Sequence, residues 1–397
     1  MKHVTIDIDV TEAAGLGERL HTRVTVTLPD AVSTPPVVCF GFPGGGYSRG
    51  YFALDVPDAH ADETRGGQAS WHAQRGWIFV ACDHLCVGES AMPTDPSQTT
   101  FENMTAVNAA TVEAVTALLN SGELDPSFPA VQELTRIGIG QSMGGCLLVV
   151  QQGQHATFDG IGVLGYSAIH TVLPMPPGTP PFQMDYLPRG TRLAFDASQA
   201  RSQEVTQAAN AAVDDTPPTA ADLPITTWGF HMDDEPQDMV IADMVDYPMR
   251  SRSHPLPPWA STTMPPCAAS MLSPGSVAPE AATITVPVMV AVGERDVVPD
   301  PRFEPKAYQR SPDVTVVIVP NMSHMHNFAS TRVQLWERAC TPGLRASRAA
   351  ADPPPQGFVS HTGHGAPWPV CDANAVLLEA GIGKVTKAPR HSVSQRS

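Results

Sequence analysis

The stretch "IGIGQSMGGCLLVV", residues 137–150, constrains this chain more than any other. An apolar run runs into Gly140-Gln141-Ser142-Met143-Gly144 and then straight into a helical pattern. A strand that turns into a helix within a few residues needs glycine where side chains would collide, and it strains the residue at its tip. That is the setting in which a G-x-S-x-G serine projects from a sheet at a helix N-terminus. Seven further runs resemble strands: 3–10, 21–28, 36–42, 76–83, 158–167, 286–293 and 313–320. The first two alternate polar and apolar residues, as half-exposed antiparallel strands do. The later runs are continuously apolar, as strands buried on both faces of a parallel sheet are. Helical patterns between them, such as 101–122 with Val107, Ala110, Val115, Leu118 and Leu119 near one stripe, point to α/β architecture with crossover connections.

The alternation stops between 169 and 285. That segment holds 18 of the chain's 40 prolines and 8 of its 15 methionines, together with Trp228, Trp259, Phe182 and Phe230. So much bulky apolar material argues against disorder and for an inserted lid or cap with proline-braced loops. The expected domains are therefore a core of 1–168 plus 286–340, a lid over 169–285, and a partly disordered C-terminal extension over 341–397. A formal charge of −16 disfavours nucleic acid, whose binding rests on Lys and Arg. No apolar run reaches membrane-spanning length, and "MKHVTIDIDV" lacks the apolar region of a secretory signal, so a cytoplasmic location is expected. The seven cysteines are scattered and read as reduced core residues; Cys82 and Cys86 form a lone pair without the second pair a zinc site needs.

A serine at its ordinary pKa is a weak nucleophile and needs a base held by an acid. On such an elbow these follow in the order Ser, Asp or Glu, His. "VGERDVVPD" offers Glu294, Asp296 and Asp300 after the seventh run, and Asp296 lies on the turn where it can reach a neighbouring loop. "NMSHMHNF" follows the eighth run and offers His324 and His326. An H-x-H pair can hold a metal, but Asn327-Phe328-Ala329 follow in place of an Asp-His continuation. "FPGGGY" places Pro43-Gly44-Gly45-Gly46 after the third run without a G-K-[ST] that would make it a phosphate loop. "CDHLCVGES" puts Asp83 and His84 near the same end, and "HMDDEPQD" (231–238) reads as solvated lid charge.

With "GQSMGG", "VGERDVVPD", "MSHMHNF" and "FPGGGY" in this order, the chain resembles an α/β-hydrolase-fold serine hydrolase of the esterase, lipase or lactonase kind, with an inserted cap. The resemblance covers roughly 1–168 and 286–340. It implies a mostly parallel sheet of about eight strands, and a triad of Ser142, Asp296 and His324, the last in the slot of the family's Gly-His. It also implies an oxyanion hole from Gly44 or Gly45 with Met143. Pro43 stands where many relatives carry His. No cofactor or metal is implied. The expected activity is hydrolysis of a carboxylic ester or lactone of a hydrophobic small molecule, with amide or carbon–carbon bond cleavage and non-catalytic binding as alternatives. Tyr47, Trp228, Met239 and His326 are candidates for the substrate pocket, and a homo-oligomer is possible.

Overall fold

The computed structural model describes residues 1–180, 186–190, 218–250, 252–253 and 255–339; the expected C-terminal extension and part of the expected lid lie outside them. All eight strand-like runs form strands of one sheet: β1 (Lys2–Asp9), β2 (His21–Leu28), β3 (Val37–Phe42), β4 (Ile78–Cys82), β5 (Thr135–Gln141), β6 (Gly160–Leu164), β7 (Val288–Gly293) and β8 (Val314–Val319). Their order is β1-β2-β4-β3-β5-β6-β7-β8. The two alternating runs are the antiparallel ones. β1 pairs with β2 from Lys2↔Leu28 to Asp9↔His21, and β2 pairs antiparallel with β4. Every later pairing is parallel.

Helices cover both faces. α1 (Thr11–Ala14) is a single turn, and α2 (Gly67–Ala73), α3 (Phe101–Ser121), α4 (Met143–His155) and a helix over 332–339 do most of the covering. Successive strand residues point to opposite faces. Val38, Phe40 and Phe42 therefore join the core beneath α3 and α4, and Val37 and Cys39 join the core that holds Trp71 and Trp336. Those two rings lie 5.8 Å apart and are almost wholly buried, each stabilising the fold by about 2–3 kcal/mol. α3 starts where Thr100 and Asn103 form a reciprocal capping box and stops at Gly122, whose φ of 76° only glycine adopts cheaply.

β8 departs from the sequence expectation. Its apolar run reads as buried on both faces, yet it is the last strand of the sheet and Ile318 is 49% exposed. An edge position exposes residues that a central strand would bury. The sheet also contains a switch point. From β3 the chain winds outward through β4, whereas from β5 it winds the other way through β6, β7 and β8. β3 and β5 are neighbours whose carboxyl ends align at Phe42↔Gly140. In an open parallel sheet, a crevice forms at that place. The loops after β3, β5, β7 and β8 all emerge at the same end of the sheet, and they carry Gly44 to Gly46, Ser142, Asp296 and the two histidines His324 and His326.

Candidate active site

The elbow after β5 is built by close backbone approach. Ser142 sits at φ 53°, ψ −116°, and α4 begins at the next residue. A Cβ on Gly140 would lie 2.3 Å from the Gly144 carbonyl oxygen, and one on Gly144 would lie 2.2 Å from that of Phe42. Both glycines are thus fixed by packing, and the strain they permit pushes the serine side chain off the sheet. Met143 N–H lies in the first turn of α4, where a helix leaves its amides without intrahelical acceptors and favours negative charge.

Ser142, His324 and Asp296 meet in one hydrogen-bonded line. The Ser142 hydroxyl is 3.0 Å from His324 Nε2, and His324 Nδ1 is 2.7 Å from Asp296 Oδ1. With Nδ1 donating to the carboxylate, Nε2 is left to accept from the serine. His324 is 3% exposed, whereas Ser142 stays partly open to solvent. Gly165, at φ 57° just past β6, makes room: a Cβ there would lie 3.0 Å from His324 Nδ1. Asp296 also accepts from the amides of Gly293 and Val297. Burial pushes its carboxyl up, but His326 and His324 together hold it well below the ordinary carboxylate range.

His326, a candidate for the substrate pocket, is 1% exposed, and its Nε2 sits 2.7 Å from the second carboxylate oxygen of Asp296. Asp296 is therefore gripped from both sides, each histidine taking one oxygen. The H-x-H spacing that suggests two metal ligands instead serves two contacts to one acid. Gln141 ties this loop to the elbow by donating from Nε2 to the His324 carbonyl at 3.0 Å.

The three glycines after β3 meet three different neighbours. A Cβ on Gly44 would sit 2.2 Å from Gln141 Oε1, one on Gly45 2.7 Å from Met264 Sδ, and one on Gly46 2.9 Å from the Tyr247 ring. Two of those neighbours belong to the segment between β6 and β7, which packs directly onto the loop. Tyr47 and Ala260 form an antiparallel bridge, with Ser48 N–H donating to the Trp259 carbonyl and Ser261 N–H to that of Gly46. Phe230 stands edge-on to His324 with ring centroids 5.2 Å apart, and the Gly229 and Phe230 carbonyls accept from the amides of His324 and Met325.

The other pocket candidates are engaged elsewhere. Tyr47 is wholly buried and donates its hydroxyl to Asp243 Oδ2 at 2.6 Å. Met239 lies in the core shared with Tyr47 and Phe328, and Trp228 lies under the Arg295 guanidinium at 4.3 Å. Half-buried apolar residues beside the glycine loop and His324 include Met264, Tyr247 and Phe230. Only their apolar character within the segment between β6 and β7 signalled them in the sequence. Nor does the acidic run over 231–238 hold only solvated charge. Asp233 and Asp234 are exposed, but His231 and Glu235 are buried, with His231 bonded to Glu235 at 2.6 Å and to Asp243 at 2.9 Å. His84 is packed in the core, stacked on Phe42 at 5.6 Å, and burial lowers its pKa to about 4. Asp83 holds a turn, accepting from the amides of Arg49 and Glu89. Two clefts, of about 480 and 440 Å³, lie beside Arg49 and along β8, and neither touches Ser142.

No family model matches this chain, and no curated protein matches it. Solved structures similar to it include a proline iminopeptidase from Mycobacterium smegmatis, 18% identical over 86% of this chain and 99% of that one, with a TM-score of 0.47. A bromoperoxidase from Bacillus anthracis is 11% identical over 86% and 99%, with a TM-score of 0.48. A thermophilic esterase from Thermogutta terrifontis is 13% identical over 86% and 98%, with a TM-score of 0.44. At these values the likenesses carry no argument about chemistry. By its own strand order, switch point and strained serine turn after β5, the chain has the α/β-hydrolase fold.

Proposed function

We propose that the protein is a serine hydrolase that cleaves a carboxylic ester or lactone of a hydrophobic small molecule through an acyl-enzyme. The supporting observation is the line from Ser142 Oγ to His324 Nε2 and from His324 Nδ1 to Asp296, at 3.0 and 2.7 Å. In this reading His324 takes the Ser142 proton as the oxygen attacks the substrate carbonyl. The N–H groups of Met143 and of Gly44 or Gly45 face the developing oxyanion, each worth about 3–4 kcal/mol in the transition state. His324 then gives its proton to the leaving oxygen. A water activated by the same imidazole attacks the acyl carbon and releases the acid and the free serine. Asp296 fixes the imidazole tautomer and balances its transient charge.

The segment between β6 and β7 acts as the cap, and its Met264, Tyr247 and Phe230 favour an apolar acyl or ring group. The side chain of Met264, flexible and polarizable, suits varied apolar shapes. Turnover of p-nitrophenyl esters and of matched anilides by the wild type and by Ser142→Ala tests the proposal. Ester turnover that drops at least about 10⁴-fold in the variant is expected. Absence of ester turnover, or turnover indifferent to the substitution, would remove the reading, and cleavage of anilides alone would redirect it to amides.

A further inference from the structure

A buried network joins the cap to the glycine loop. Asp243, wholly buried, accepts from Tyr47 Oη and His231 Nε2 at one carboxylate oxygen and from Arg250 Nη2 and Trp259 Nε1 at the other, at 2.6–2.9 Å. Glu235 closes the far side of His231. Two acids thus face two bases, which is how charge is tolerated in an interior. The network ends on the glycine loop. Arg250, 1% exposed, donates from Nη1 to the Gly46 carbonyl at 2.7 Å, and Tyr247 donates its hydroxyl to the Gly45 carbonyl at 2.6 Å. Tyr47 N–H takes the third carbonyl, that of Gly44, at 3.2 Å.

In a trans peptide the N–H points opposite to the preceding carbonyl. Holding the carbonyls of residues 44, 45 and 46 therefore fixes the directions of the N–H groups of 45, 46 and 47. Glycine run in this way has too much freedom to hold those directions unaided. We propose that Tyr247 and Arg250 are positioning residues that preorganise the oxyanion loop, so that the cap sets the catalytic rate as well as the shape of the pocket. This rests on the hydrolase reading given above. Neither side chain need touch the substrate carbonyl. Arg250 holds the peptide plane between residues 46 and 47, whose N–H holds the Gly44 carbonyl and with it the direction of the Gly45 N–H. Tyr247 holds the plane between residues 45 and 46. The effect falls on the transition state, where the oxyanion forms, more than on substrate binding.

The test uses the whole chain as wild type, Tyr247→Phe and Tyr166→Phe. Tyr247→Phe removes the donor to Gly45 and keeps the ring. Tyr166→Phe likewise removes one hydroxyl, which bonds the Met271 carbonyl and Ser276 in the same segment, and leaves the Asp243 network intact and every glycine carbonyl occupied. Four quantities are measured: kcat and KM on a p-nitrophenyl ester, inhibition by an arylboronic acid that adds to the serine as a tetrahedral adduct, and thermal unfolding. In Tyr247→Phe, kcat should fall about 10- to 100-fold and boronate inhibition should weaken by the same factor, with KM within about 2-fold. Tyr166→Phe should stay within about 3-fold of wild type in all three kinetic quantities. A Tyr247→Phe enzyme with undiminished kcat and boronate affinity would overturn the proposal. So would two variants that lose activity only in step with their melting temperatures. Fluorophosphonate labelling of the wild type separates the two levels. An unlabelled wild type sinks the hydrolase reading and the clamp with it, whereas a labelled wild type with an unaffected Tyr247→Phe sinks the clamp alone.

Discussion

Asp296 is the residue on which the candidate site turns, because both histidines of the H-x-H pair bind it. Their roles are not equivalent. His324 has its second nitrogen on Ser142, whereas the second nitrogen of His326 is buried without a hydrogen-bond partner. His324→Ala should therefore cost far more kcat than His326→Ala, and steady-state kinetics on one ester would show it; the reverse order would exchange the two assignments. Asp296→Asn should lower kcat by about 10⁴-fold with an unchanged fold by circular dichroism, because the amide favours the wrong imidazole tautomer. The serine and the acid were legible in the sequence because chain order and loop position single them out. His326 was legible only as a neighbour. That it grips the same carboxylate as His324 depends on how the loop after β8 folds back onto the loop after β7, which spacing does not encode.

At the level of elements, strands were the easiest part to read. A strand buried on both faces is an unbroken apolar run, and a half-exposed one alternates, so run type and pairing direction went together. β8 was misread because an apolar run does not announce where the sheet ends. Ile318→Thr should accordingly shift stability by no more than about 0.5 kcal/mol in urea titration, although it changes a strand residue. The elbow is far less forgiving. Gly144→Ala would place its Cβ against the backbone oxygen of Phe42, and backbone cannot step aside as a side-chain tip can. A loss of about 3 kcal/mol in the same titration is expected. Wild-type stability in Gly144→Ala would contradict the packing described for that turn.

Over the whole molecule, the sequence was least informative about what joins distant segments. Tyr47 and Asp243 are separated by 196 positions yet share a hydrogen bond, and His231 and Glu235 sit in an acidic run whose exposed members disguise its buried ones. The electrostatics of that network carry a pH signature. Burial pulls the His231 pKa down, but Glu235 and Asp243 overcome it and raise the value from 6.5 to about 9. Burial pushes Asp243 up, but Arg250 and His231 outweigh it and lower the value from 3.8 to about 2. A raised base stabilises the fold fully below its unfolded value and loses that contribution as pH climbs. A depressed acid does so above its unfolded value and loses it as pH drops. Stability from this network should thus be fullest between about pH 4 and 6.5, fading toward pH 9 on one side and toward pH 2 on the other. Urea titrations of the wild type and His231→Gln check it: the alkaline decline should flatten in the variant, and an equal decline in both would refute the assignment.

The bridge between Tyr47 and Ala260 has a kinetic corollary. A cover stitched by main-chain bonds to the loop beneath it cannot swing away there without unmaking that loop. Under the proposed hydrolase reading, substrate would then enter past another stretch of the segment between β6 and β7. A molecule opened along the 259–261 seam would be accessible and inert at once, so admission and chemistry would compete for the same few residues.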